Sequence, residues 1–114
     1  MKLERDLVKQ IKGSLPAIRN RFGVVLWRQN TGAFMGEHKG KKRYVQFGVP
    51  GMGDFTGWIA PSGRRIEVEC KADGEEQSVN QKAFQAACER GGAVYLLVYS
   101  VPQLLSALEE LKGE

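Results

Sequence analysis

An α/β fold with a mixed sheet is predicted by three features of this 114-residue chain. Leu3, Leu7, Ile11 and Leu15 recur every fourth residue, the spacing of one buried helix face. Arg65 to Lys71 alternates charged and apolar residues, the period of a strand. The segment from Val79 to Arg90 reads as a helix and leads into the apolar run Ala93 to Tyr99. A helix joining two strands of one sheet makes them parallel through a right-handed crossover.

The first helix is expected from about Lys2 to Lys12, with Val8 beside its stripe and Gly13, Ser14 and Pro16 ending it. Phe22 to Arg28 is rich in Val, Leu and aromatics and reads as a strand, followed by the turn composition Gln29-Asn30-Thr31-Gly32. The glycine-rich middle of the chain reads as turns and short strands, with a long loop after Gly32 and a short strand at Tyr44 to Phe47. Gly48 to Gly53 forms a turn that delivers Asp54 to a strand at Phe55 to Ile59. Pro61-Ser62-Gly63 then turns the chain into Arg64 to Lys71, completing a hairpin. Ser78 suits the N-cap of the second helix, and Gly91-Gly92 suits a left-handed C-terminal cap. Ala93 to Tyr99 is expected to be a strand buried on both faces, and Pro102 opens a last helix reaching about Lys112. The expected order is α-β-β-β-α-β-α within one domain spanning residues 1–114.

Composition narrows the function classes. Hydrophobic residues at 42% and charged residues at 26% are a globular balance, neither disordered nor fibrous. The Ala93 to Tyr99 run is too short to cross a bilayer, and Met1-Lys2-Leu3-Glu4-Arg5 lacks the apolar segment of a secretory leader. The expectation is a soluble, cytoplasmic protein with no membrane partner, its Cys70 and Cys88 reduced core thiols. Seventeen Lys and Arg against thirteen Asp and Glu permit nucleic-acid binding without requiring it. Glu37 to Tyr44 is a glycine-interrupted basic cluster, equally a phosphate-binding loop or a solvated one. Gly48 to Gly53 lacks the Gly-Lys-Ser/Thr ending of a phosphate loop, so no nucleotide cofactor is expected, and His38 stands alone and is read as solvated.

In Arg65 to Lys71, alternation places Glu67, Glu69 and Lys71 on one strand face and Ile66, Val68 and Cys70 on the other. Taken alone, the segment reads as a strand showing its charges to water. Two features favour chemistry instead. A carboxylate and a lysine two strand positions apart have Cα atoms ~6.5–7 Å apart, room for a water or phosphate oxygen between their heads. Asp54, at the start of the hairpin's other strand, is placed to meet Glu69, and two carboxylates can share a hard cation such as Mg²⁺. Glu67 is read as pairing with Arg65 or pointing to solvent, and Trp58, Phe84 and Tyr95 as core or interface residues.

Asp54 followed by Glu69-Cys70-Lys71, in this element order, resembles the PD-(D/E)XK nuclease superfamily. Trp27-Arg28-Gln29-Asn30-Thr31-Gly32-Ala33, Gly53-Asp54, Glu67-Val68-Glu69-Cys70-Lys71, Ser78-Val79-Asn80-Gln81 and Gly91-Gly92-Ala93-Val94-Tyr95 together resemble its VRR-NUC family of virus-type replication-repair nucleases. Asp54 follows glycine where the superfamily label has proline. The resemblance implies a restriction-endonuclease-like core and a metal-dependent DNA endonuclease, using Mg²⁺ or Mn²⁺. It implies branched DNA, a Holliday junction or flap, as substrate, and a homodimer of phage or bacterial origin. By the same resemblance Asp54, Glu69 and the Cys70 main-chain carbonyl are metal ligands, and Glu4 reaches the metal through water. Lys71 orients or polarises the attacking water, and Gln81 faces the site from the second helix. Arg28 and Asn30 support the site or contact DNA, as do Lys39, Lys41, Lys42 and Arg43 from the basic loop. The alternative is a non-catalytic nucleic-acid-binding module on the same fold.

Overall fold

The core forms where one face of a four-stranded sheet meets two amphipathic helices. In this computed structural model residues 3–30 and 32–112 are described, and of residues 32–34, 38 and 45–47 only the backbone. The elements are α1 (Glu4–Phe22), β1 (Val24–Arg28), β2 (Gly32–His38), β3 (Lys41–Phe47), β4 (Phe55–Ile59), β5 (Arg64–Cys70), α2 (Val79–Arg90), β6 (Val94–Val98) and α3 (Val101–Lys112). The central sheet has the order β1-β4-β5-β6, antiparallel except for the parallel pair β5 and β6. The chain is therefore α/β with a mixed central sheet and flanking helices.

Alternation along the strands sends Val24, Leu26, Phe55, Ile66, Val68, Cys70, Val94 and Val98 to the face packed by Leu7, Ile11, Ile18 and Phe22 of α1 and Leu104 and Leu108 of α3. The opposite face carries α2 over β5 and β6, where Phe84 meets Tyr95 edge-on at 6.3 Å. Trp27 and Trp58 lie T-shaped at 5.5 Å on that face of β1 and β4, each about half exposed, so Trp58 is not a core residue. Phe84 is partly buried and Tyr95 fully so. Cys70 and Cys88 are free thiols, the first buried and the second partly so. No described helix is long and apolar enough to cross a membrane.

Two expectations about elements are corrected. The first helix does not end near Lys12 but runs to Phe22 with Gly13 and Pro16 inside it. An interior Gly costs about 1 kcal/mol and an interior Pro about 3. Burial of Ile18 and Phe22 returns roughly 1.5–3 kcal/mol each, which carries the helix through. Phe22 thereby belongs to the helix rather than the first strand, and Gly23, at φ 67°, caps it. The Gly91-Gly92 cap is as expected, with Gly91 right-handed and Gly92, at φ 89°, in the left-handed conformation.

Second, the long loop is a β-hairpin of seven-residue strands, paired from Gly32 with Phe47 to His38 with Lys41 and forming its own sheet. The observed order, α-β-β-β-β-β-α-β-α, thus has two strands more than the expected α-β-β-β-α-β-α. Lys39 and Gly40 make its two-residue turn, both at positive φ, the geometry that matches strand twist. Asparagine or glycine suits the first turn position; lysine there costs about 1 kcal/mol of backbone energy. The hairpin stretches the molecule to 55 × 35 × 27 Å, with a radius of gyration of 15.7 Å against about 13 Å for a compact chain of this length. The Thr31 part of the predicted turn and the side chain of His38 lie outside the described residues.

Candidate active site

Asp54 is held by backbone on every side. Gly53 lies so close to β5 that a Cβ there would sit 2.8 Å from the Val68 carbonyl oxygen, which accounts for glycine before the carboxylate. Asp54 N–H donates to that same oxygen at 2.8 Å, and the Cys70 N–H donates to Asp54 Oδ2 at 2.7 Å. The Gln29 N–H and Arg28 Nη1 both donate to the Asp54 carbonyl, at 2.9 and 2.8 Å. Arg28 Nη1 also donates to the Gln29 carbonyl and stands 3.5 Å from Asp54 Oδ1. Of the two roles expected for Arg28, supporting the site or contacting DNA, these contacts with Asp54 match the first; Asn30 is exposed just beyond it.

Glu67, Glu69 and Lys71 share a strand face, as alternation requires, but the face is not solvated: they are 0%, 1% and 8% exposed. Glu67 is closed off by Gln29 Nε2 at 2.7 Å and by Arg65 at 3.1 and 3.3 Å, so the Arg65 pairing is present and the solvent alternative is not. Glu69 is asymmetric. Its Oε1 accepts from Tyr95 Oη and from Gln77 Nε2 at 3.1 Å, and Gln77 is itself held by Gln85 Oε1 at 2.9 Å. Its Oε2 is fully buried with no hydrogen-bond partner, 3.8 Å from Lys71 Nζ. A buried anionic oxygen without a donor is costly and rare in folded chains.

Burial raises the Asp54 pKa above the ordinary 3.8, and neighbouring Glu69 pushes the same way; the Cys70 amide, Arg28 and Lys71 oppose them. Glu4, at the start of α1, is also raised, first by burial and then by Asp54, so the helix carboxylate stands within electrostatic reach of the strand pair. Glu4, Arg5, Val8, Arg28 and Asp54 line an open cleft of about 340 Å³. A larger cavity of about 550 Å³, lined by Phe84, Ala87, Cys88 and others, touches none of these carboxylates; the smaller cleft takes in Glu4 and Asp54, whereas the buried Glu69 and Lys71 are not among its lining residues.

These residues fit a hard cation. The orphaned Glu69 Oε2, Asp54 Oδ1 and the Cys70 carbonyl are oxygen donors, whereas the Cys70 side chain is packed in the core. Among the described residues no three His, Cys, Asp or Glu side chains converge closely enough to hold an ion by themselves. Two carboxylates and a carbonyl leave the remaining positions to water and substrate, the manner in which Mg²⁺ is usually held.

Gln81, expected to face the site, has its side-chain oxygen accepting from Ser78 N–H at 2.8 Å while Ser78 Oγ accepts from Gln81 N–H, a reciprocal capping box. Gln77, one residue before the cap, reaches Glu69 instead. Gln77 did not stand out in the sequence, and Tyr95 and Gln29 did so without a site role, because Tyr95 reaches Glu69 only through the parallel register that pairs Glu67 with Tyr95. Lys39, Lys41, Lys42 and Arg43 are exposed on the hairpin, away from the carboxylates in sequence and in sheet.

The raised carboxylates fix the sign of a pH effect. A folded-state pKa above the unfolded value means the fold holds the proton more tightly, so this contribution is full below about pH 4 and is lost as pH rises through the folded value. Asp54→Asn is therefore expected to raise the neutral-pH melting stability of the metal-free protein by about 1 kcal/mol and to flatten that acid-side slope. Thermal melts from pH 4 to 7 check it; an Asn variant that melts lower at pH 7 contradicts the assigned burial cost.

Compared with protein-family models, with curated proteins and with solved structures, the chain gives no significant match.

Proposed function

We propose that this chain is a divalent-metal-dependent DNA endonuclease with a PD-(D/E)XK core of the VRR-NUC type. The observation that carries the reading is Glu69, fully buried, with one oxygen pinned by Tyr95 and Gln77 and the other without a hydrogen-bond partner beside Lys71. An Asp at the start of one hairpin strand and a Glu-X-Lys on the next support it, as does the parallel crossover through α2.

Asp54, Glu69 and the Cys70 carbonyl would hold Mg²⁺ or Mn²⁺, and Glu4 would reach it through water. Bound there, the cation supplies Lewis acidity toward a phosphate oxygen and lowers the pKa of a coordinated water. Lys71, 3.8 Å from Glu69 Oε2, would hold the attacking water and offset the charge gathering on phosphate. Arg28 fixes Asp54, and the cations of the hairpin bind the DNA backbone. Branched DNA as substrate and a homodimer presenting two sites to two strands complete the proposal.

The test incubates purified protein with end-labelled four-way junction, flap, linear duplex and single strand in Mg²⁺, Mn²⁺ or EDTA. Cleavage of the branched substrates that EDTA abolishes is expected. Binding without cutting in either metal replaces this reading with the non-catalytic module.

A further inference from the structure

The net charge of this chain is not spread over it. Of a formal +4, the ten residues from Met35 to Tyr44 hold four cations against one carboxylate, so +3 lies on the hairpin and +1 on all the rest. The hairpin is rooted at the site end of the central sheet. Its first strand begins four positions after Arg28 and its second ends seven positions before Asp54, the two residues that clamp one another. Seven residues per strand carry its turn ~23 Å from that root.

Register fixes how the charge is presented. Lys41 and Arg43 stand on one face of β3, Lys42 on the other directly opposite Glu37 and beside Tyr44 and Met35, and Lys39 at the turn. The net positive charge therefore lies on the Lys41–Arg43 face and at the tip, where it meets one phosphate wall of a groove, and the major groove of duplex DNA admits a two-stranded ribbon. The turn adds a second sign: Lys39 occupies a positive-φ position at φ 51° that asparagine or glycine fills without strain. Charge is kept there against backbone preference.

We infer that the β2–β3 hairpin is a duplex-holding arm whose tip engages DNA phosphates ~7 base pairs from the bond presented to Asp54 and Glu69. The inference rests on the nuclease reading of that site and deepens it by assigning where the substrate must be double-stranded.

Binding of four-way junctions with progressively shortened arms is measured by fluorescence anisotropy in EDTA, and cleavage of the same junctions in Mg²⁺. For the native chain, affinity is expected to fall about tenfold once the arms are shorter than ~7 base pairs. The triple variant Lys41→Gln, Lys42→Gln, Arg43→Gln is expected to bind long and short arms alike, with a salt slope shallower by about 3. Lys9→Gln, Lys12→Gln, Arg19→Gln removes the same charge from exposed positions of α1 and is expected to keep the arm-length dependence. The inference is overturned if the hairpin variant keeps that dependence, if the α1 variant loses it equally, or if duplex RNA binds as tightly as DNA. Arm-length-dependent binding without cutting upholds the arm and defeats the nuclease reading; cutting that ignores arm length does the reverse.

Discussion

Lys71→Met is expected to lower the cleavage rate by about a thousandfold, the scale of losing one positioned proton-handling group. The same change exposes how the site is balanced. Lys71 and Glu69 are a buried pair at 3.8 Å, and removing one member of such a pair leaves an uncompensated charge that costs about 3 kcal/mol. Lys71→Met is therefore expected to melt well below the native chain, and Lys71→Met with Glu69→Gln to recover most of that stability by removing both charges. Cleavage does not return in the double variant. A Lys71→Met protein that still cuts at the native rate sinks the assigned site, and a double variant no more stable than the single one sinks the charge balance.

Gly57→Ala is expected to be the most damaging single methyl group in the sheet. A Cβ at Gly57 would fall 1.6 Å from the Val25 carbonyl oxygen and 2.7 Å from its carbon, both main-chain atoms of the neighbouring strand. Backbone in a paired strand cannot rotate aside as a side chain does, so β1 must separate from β4. The expected cost is about 3 kcal/mol, the upper end for overpacking. Since β1 is the outer strand and its end carries Arg28, the clamp on Asp54 is lost with it. Denaturant titration measures the first effect; an alanine variant within 1 kcal/mol of the native chain shows that the strands can give way.

Where local chemistry decides the outcome, the sequence was legible. The hairpin of β4 and β5, the parallel crossover, the Ser78 cap and the shared face of Glu67, Glu69 and Lys71 follow from turn residues and periodicity. Where a distant surface decides, it was not. Pro16 reads as a helix end until Ile18 and Phe22 find the sheet behind them. The charged face of β5 reads as solvated until Gln29, Gln77 and Tyr95 arrive from three other segments to close it. Gln81 and Gln77 are alike by composition, and only the capping geometry separates the one that closes a helix from the one that meets Glu69. The basic stretch shows its charge in the sequence and hides its strands, because glycine at both a turn and a strand position reads as loop.

Unequal anchoring of the helices gives the molecule a hierarchy of opening. Among the described residues, α1 buries four side chains and α3 two, but α2 buries none. Elements with little buried surface open at lower free energy than the whole, so α2 is the least anchored of the three helices, and its amides are expected to exchange with deuterium before those of α1. Gln85, which steadies Gln77, travels with that helix. Each excursion of α2 would loosen a donor to the pinned oxygen of Glu69 while Asp54, fastened to β5 and β1, stays in place. Both carboxylates thus share the permanence of β5, and only part of the donor shell around Glu69 is renewed at every closure.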